Sequence, residues 1–309
     1  MKPELVVLGN LVVDDIVYEN GSCRFGQAGG AALYAALGAA LWGTQVALAS
    51  VIGSDYPVDV FEQVKKTRVD LSCLRTVSGP SMRSWLLYEG RRRQLVHRLD
   101  SPSHSAMSPE PGILPTEWRP RAIHLAPMPL PVQTGWLRDL AGKTGTLLSL
   151  DTFELIEERS IDRCCKAFAG ADLLFLSEDE LLLSGALDEP QPTLAQIAQR
   201  SGGRLARVIL KRGRRGGLLF DREDNATTHW GSRTDRVVDA TGAGDAFAGG
   251  FLAGMLRNGD LSQALERGIV SASFALEGRG PSALLTATPE IARDRRTAWF
   301  PTRKAQTIR

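Results

Sequence analysis

Six short apolar runs, at 5–10, 46–53, 122–125, 146–151, 173–176 and 207–211, recur along this 309-residue chain. Each is rich in Val, Leu or Ile and is apolar almost throughout, which is the pattern of strands covered on both faces. Stretches of helical character lie between them, among them the Ala- and Leu-rich 31–42 and the segment 61–67. Strands that alternate with helices in this way specify an α/β fold, a doubly wound, mostly parallel sheet flanked by helices. Such sheets bind their ligands beyond the carboxyl ends of the strands. Asp14, Asp151, Glu180, Lys211 and Asp245 all follow an apolar run or open a helix, so they are expected to converge on one crevice.

One region breaks the pattern. From 81 to 99, Trp85-Leu86-Leu87-Tyr88-Glu89-Gly90-Arg91 followed by Gln94-Leu95-Val96-His97 reads as a β-hairpin with its turn near Gly90. Together with an extended piece at 12–18 it predicts a second, small β-sheet built from about 12–25 and 81–99. A Pro- and Ser-rich connector, 101–120, carries no regular pattern, and the basic tail from Arg293 to Arg309 reads as a surface segment. The whole, 1–309, reads as one domain.

An apolar content of 43% is ample for a core, and a net charge of +2 argues against nucleic acid as a partner. No apolar stretch approaches the length of a membrane span, and the opening Lys2-Pro3-Glu4 lacks the layout of a signal peptide. Cys23, Cys73, Cys164 and Cys165 contain no Cys-x-x-Cys pair, which fits incidental thiols in a cytoplasmic chain.

The chemistry concentrates late in the sequence. Asp239-Ala240-Thr241-Gly242-Ala243-Gly244-Asp245 runs into the apolar 246–251, so a glycine-rich turn opens a helix with Asp245 in its first turn. Free N–H groups and the helix dipole at such a start bind anions. An anion cradle beside a carboxylate points to phosphoryl transfer, with Asp245 taking the proton of an attacking hydroxyl. A first-turn Asp that merely caps its helix is the alternative. No Gly-Lys-Ser/Thr follows the glycines, so this is not a Walker A loop.

With these positions in hand, the chain resembles the ribokinase/PfkB family of carbohydrate and nucleoside kinases from about residue 5 to about 285. The motifs that carry the resemblance are 239–247, Gly29-Gly30 with Leu41-Trp42-Gly43 downstream, Val51-Ile52-Gly53-Ser54-Asp55, and Lys211-Arg212-Gly213-Arg214-Arg215-Gly216. The resemblance implies that Asp245 is the general base and that Gly242, Ala243 and Gly244 form the anion hole. It implies acceptor contacts from Asp14, Gly29 and Gly30, with Tyr34 standing where many relatives place an asparagine. Tyr34 then either stacks on an acceptor ring or packs in the core. ATP would lie against Lys211, Gly213, Gly216 and Thr241, with the loop backbone at 211–216 mattering more than the Lys211 ammonium. Mg²⁺ would be organised through water by Glu180 and Asp239, although Ser177 replaces the usual asparagine and 178–180 may equally be read as helix-start charge. The small sheet corresponds to the family's lid, where His97, Arg98 and Arg91 either touch substrate or pack, and lids of this kind often join two subunits, so a homodimer is implied.

Two other functions remain open on sequence. A non-catalytic relative could bind nucleotide or sugar with the same fold, and a dinucleotide-dependent oxidoreductase shares parallel sheets and glycine turns. No Gly-x-Gly-x-x-Gly follows the first strand, which disfavours the oxidoreductase.

Overall fold

The computed structural model describes residues 2–89, 92–234 and 236–301. The turn expected near Gly90, with Arg91, and the tail from 302 to 309 lie outside the described residues.

The six apolar runs all become strands: β1 (Leu5–Leu8), β4 (Val46–Ile52), β8 (Ala122–Leu125), β9 (Leu147–Asp151), β10 (Leu173–Ser177) and β11 (Arg207–Lys211). They are parallel neighbours in a nine-stranded sheet of order β13-β12-β11-β10-β9-β8-β1-β4-β5, completed by β5 (Val69–Thr76), β12 (Gly217–Asp221) and β13 (Ala226–Trp230). β5 pairs parallel with β4, whereas β12 and β13 pair antiparallel. From β1 the chain winds outward first through β4 and β5, then returns to β8 and winds the other way. The reversal between β1 and β8 is the topological switch point at which an open α/β sheet forms its crevice.

Alternation along β1 shows how the core is divided. Leu5 and Val7 join one apolar cluster, with α1 (Ala31–Ala40), α6 (Ala243–Asn258) and α7 (Leu261–Glu277). Val6 and Leu8 join the other, with α3 (Leu130–Leu140), α4 (Ile161–Phe168) and α5 (Pro190–Ser201). A short α2 (Asp59–Val64) leads to β5, and α8 (Ser282–Thr286) and α9 (Pro289–Trp299) close the described chain. Close approach sets the α1–α6 contact: a methyl group on Gly249 would lie 1.9 Å from the Ala35 carbonyl oxygen. Among the described residues, no helix is long and apolar enough to cross a membrane.

Four strands form a separate small sheet of order β3-β2-β6-β7, from β2 (Val12–Val17), β3 (Cys23–Gly29), β6 (Arg83–Glu89) and β7 (Arg92–His97). β6 and β7 make the expected hairpin, pairing antiparallel from Ser84↔His97 to Glu89↔Arg92. The 101–120 connector contains no helix or strand. The tail departs from the sequence reading. Residues 289–299 are helical, and Arg295 donates to both carboxylate oxygens of Glu277, each at 2.9 Å, with its guanidinium 3.8 Å from the Phe274 ring centre. A basic run that looks solvated is thus anchored to α7 by one bidentate ion pair and an aromatic face.

Candidate active site

The glycine turn forms as its sequence predicts. Gly242 caps α6 with φ 73°, a left-handed conformation that glycine adopts without penalty, and Asp245 stands in the first helical turn. Tyr34 explains why nothing larger fits at 242. It is 2% exposed, and a methyl on Gly242 would fall 2.2 Å from its ring carbons, so the ring is the floor of the turn. Burial, and then the carboxylates of Asp14, Asp239 and Asp245, push the Tyr34 phenol well above its ordinary range. This one side chain therefore senses the acceptor-side acid, the turn and the first-turn acid together.

The Lys211 ammonium, expected to matter less than its loop, is buried in an ion pair. Its side chain is only 13% exposed and lies 2.5 Å from Asp151 Oδ2 at the end of β9. A methyl placed on Gly244 would be 3.3 Å from its Nζ, so the ammonium sits against the start of α6. Burial alone would lower the Lys211 pKa, but the surrounding Asp151, Asp245 and Glu180 outweigh it and hold the group charged. Burial conversely raises Asp151 and Glu180, each further raised by a neighbouring carboxylate and opposed by Lys211. Lys211, Asp151, Glu180 and Asp245 are thus one interacting set, in line with the convergence expected from strand ends.

The acidic run at 178–180 divides its work. Ser177 and Glu180 form a reciprocal capping box, in which the Ser177 N–H donates to Glu180 Oε2 at 2.7 Å. Ser177 thus caps this turn. Glu178 instead accepts from Arg212 (2.7 Å) and Arg215 (2.6 Å) and pins the 211–216 loop. In that loop Gly213 and Gly216 take φ 52° and 75°.

Asp239 is tied into the turn by three hydrogen bonds. Its Oδ1 accepts from the Thr241 N–H (2.9 Å) and the Tyr88 hydroxyl (2.7 Å), and its Oδ2 accepts from the Gly280 N–H (3.4 Å). Its role is to shape the turn. Thr241 is 6% exposed and shares a 2.7 Å hydrogen bond with the Tyr88 hydroxyl.

Asp14 lies within β2 of the small sheet, in the extended piece expected at 12–18. It is 6% exposed, and its Oδ2 would stand 1.9 Å from a methyl on Gly29, so the glycine admits the carboxylate. Gly30, at φ 105°, then turns the chain into α1. The Tyr56 hydroxyl donates to the Gly29 carbonyl at 3.1 Å and holds that backbone in place. Arg98 is bound to Asp15 (2.5 Å) and Asp100 (2.5 Å), which accounts for it as a structural strut. His97 pairs instead with the His104 ring, 5.0 Å away, and His104 with Phe153 at 5.6 Å.

Sequence reasoning assigned no role to Tyr88 or Tyr56 and gave Asp151 no task. Asp151 was at least flagged by its place after an apolar run; the two tyrosines carry no motif. Among the described residues, no group of three or more His, Cys, Asp or Glu side chains is arranged to grip a metal directly. Asp151 Oδ1 is buried without a hydrogen-bond partner, beside Glu180. That donor set suits a hydrated Mg²⁺ held through water and phosphate more than a protein cage.

Comparison with known proteins agrees with this geometry. The family model for pfkB family carbohydrate kinases matches residues 138–288. The chain is 29% identical over 283 residues to a cytidine kinase of Thermococcus kodakarensis, covering 90% of this chain and 97% of that one. Its fold superposes on a ribokinase of Cryptococcus neoformans solved in complex with ADP, with a TM-score of 0.75 at 19% identity over 96% of this chain and 99% of the other. A nucleoside kinase of Burkholderia thailandensis solved in complex with inosine gives a TM-score of 0.74 at 18% identity over 96% and 98%.

Proposed function

We propose that this chain is a PfkB-type carbohydrate kinase, a phosphotransferase that acts on hydroxyl groups, as the family match over 138–288 and the likeness to a cytidine kinase support. The enzyme moves the γ-phosphoryl group of ATP onto a hydroxyl of a small sugar, polyol or nucleoside, with a nucleoside the favoured acceptor. The observation that carries the reading is Asp245 in the first turn of α6, next to the Gly242–Ala243–Gly244 turn and the buried Lys211 ammonium.

Asp14, with the backbone at Gly29 and Gly30, holds the acceptor at the small sheet. Asp245 accepts the proton of the attacking hydroxyl as the oxygen closes on phosphorus. The N–H groups at 242–244 and the Lys211 ammonium stabilise the charge that builds on the transferred oxygens, a preorganised effect worth several kcal/mol. Lys211, Gly213, Gly216 and Thr241 line the nucleotide side. Bound Mg²⁺ would neutralise phosphate charge, with Glu180 and Asp151 as the residues that hold its waters. A lid at 12–25 and 81–99 covers the acceptor and keeps water from competing as the nucleophile.

Two observations favour a nucleoside. The cytidine kinase matches this chain over nearly its whole length, and Phe153, 40% exposed beside His104, offers a ring face near the strand ends. The test is turnover of ATP against a panel of cytidine, adenosine, inosine, ribose, fructose and myo-inositol, with Asp245→Asn in parallel. Acceptor-dependent ADP release that falls by at least about a thousandfold in the variant supports the reading. Equal ATP consumption by both proteins would falsify it. The small sheet also exposes Phe25 (60%), Leu95 (56%) and Val96 (44%). This favours a homodimer through the lid, which light scattering would report as twice the chain mass.

A further inference from the structure

Tyr88 makes a contact that spans the molecule. It stands near the end of β6, yet its hydroxyl reaches Asp239 Oδ1 and Thr241 Oγ1, each at 2.7 Å, across 151 and 153 residues of sequence. With Asp239 accepting, Tyr88 donates to the carboxylate and receives its second hydrogen bond from Thr241. The same carboxylate oxygen takes the Thr241 N–H, so the tyrosine completes the network that fixes the peptides immediately before Gly242. Its ring stacks on Tyr18, just past β2, at 5.7 Å and 23°, and the Arg279 guanidinium lies 5.5 Å over the Tyr18 ring.

The register of the small sheet gives this contact its meaning. β2 and β6 run parallel with Asp14 opposite Ser84. Side chains two and four residues apart share a face of a strand, so Tyr88 lies on the same face of the sheet as Ser84 and hence as Asp14. One face of one sheet therefore carries both the acceptor carboxylate and the hydroxyl that grips the phosphate turn.

We propose that Tyr88 is a positioning residue that ties the 239–244 turn to the small sheet, so that the turn is set for phosphoryl transfer only while the sheet lies over the acceptor. The inference rests on the reading of 242–244 as the anion hole. Its physical basis is a hydroxyl–carboxylate hydrogen bond, stronger than a neutral one, between the sheet and the turn. A turn released by an open sheet would hold ATP without orienting its γ-phosphate, which limits attack by water before the acceptor is covered.

Tyr88→Phe in the full chain keeps the ring and its stack on Tyr18 and removes only the hydroxyl. Amide hydrogen exchange of residues 83–89 should be about tenfold faster in Tyr88→Phe than in the parent, with exchange in β4 unchanged. With the best acceptor of the panel, kcat should fall about tenfold while the acceptor KM stays within twofold. Exchange at 83–89 within twofold of the parent overturns the proposal, as does a uniform rise across the chain or a loss confined to KM. Asp245→Asn separates the two readings. It should abolish turnover yet leave exchange at 83–89 at the parental rate, so an active Asp245→Asn enzyme refutes the proposed reaction with Asp245 as its base, while the exchange data decide the role of Tyr88 without any turnover.

Discussion

Replacing Lys211 by Met leaves Asp151, whose side chain is 1% exposed, without the ammonium 2.5 Å away. Breaking one side of a buried ion pair costs about 3–5 kcal/mol, because the remaining charge must stay desolvated. A second estimate bounds that figure. Asp151 escapes the charge by taking a proton, and holding a carboxyl with an unfolded pKa of about 3.9 neutral at pH 7 costs about 4 kcal/mol. Part of this is already present in the parent, where burial holds Asp151 above the usual carboxylate range despite Lys211. With the parent carboxyl raised to about 6, about 3 of that 4 kcal/mol is already present, so the protonation route leaves a loss of about 1.4 kcal/mol at pH 7. The pH dependence has a definite sign. With Lys211 gone the folded pKa rises further, the native state binds the proton that the unfolded chain releases, and stability falls as pH rises between the two values. Urea unfolding should thus show a gap from the parent of about 1.4 kcal/mol at pH 7 that closes almost completely by pH 5, where Asp151 is protonated in both proteins. Adding Asp151→Asn removes the buried charge and should restore stability to within about 1 kcal/mol of the parent, while turnover stays at least about 100-fold down because the ammonium at Gly244 is still missing. A single variant as stable as the parent refutes the pairing, as does a gap that ignores pH. Recovery of activity in the double variant refutes the role of Lys211 in transfer.

Gly242→Ala should fold, with far-UV circular dichroism unchanged, but lose at least about 100-fold in kcat, since the methyl enters the Tyr34 ring and the left-handed φ of 73° resists a side chain; a kcat within tenfold of the parent counts against the turn as anion hole. His124 is fully buried, donates or accepts at Ser149 Oγ (2.8 Å), and is held down to a pKa of about 3, chiefly by burial and then by Lys211. The unfolded chain protonates it near 6.5, so its contribution is intact above that pH and is lost progressively as pH falls towards 3, by about 2 kcal/mol at pH 5. His124→Gln should flatten the stability profile between pH 7 and 4.5 in urea titrations, and an unchanged slope would remove His124 as the cause.

Local pattern carried most of the fold and part of the site. Apolar runs bounded by polar residues made β1, β4, β8, β9, β10 and β11 readable because a strand buried on both faces announces itself without reference to any partner. Three strands escaped notice: β5 and β13, whose burial is mixed or slight, and β12, which is buried throughout but follows the 211–216 loop directly and turns back antiparallel on β11. The glycine turn at 242–244 and the first-turn Asp245 were equally legible, since helix starts are written in a few consecutive residues. So was the likeness to a kinase family, which rests on such short motifs.

Pairings between distant polar groups were not legible. Asp151 and Lys211 lie 60 residues apart and meet only because β9, β10 and β11 stand side by side and end together. Nothing local announces the three donors of Asp239, which come from the turn itself, from Gly280 and from the small sheet. Arg295 read as surface charge, and Arg98 as touching substrate or packing, until their carboxylates were in place. Sequence thus determined which segments are buried and where a helix begins, because periodicity and capping act over a few residues. Tertiary structure alone decided which charges neutralise one another and which tyrosine holds the turn, because sheet order and register choose the neighbours of every strand end.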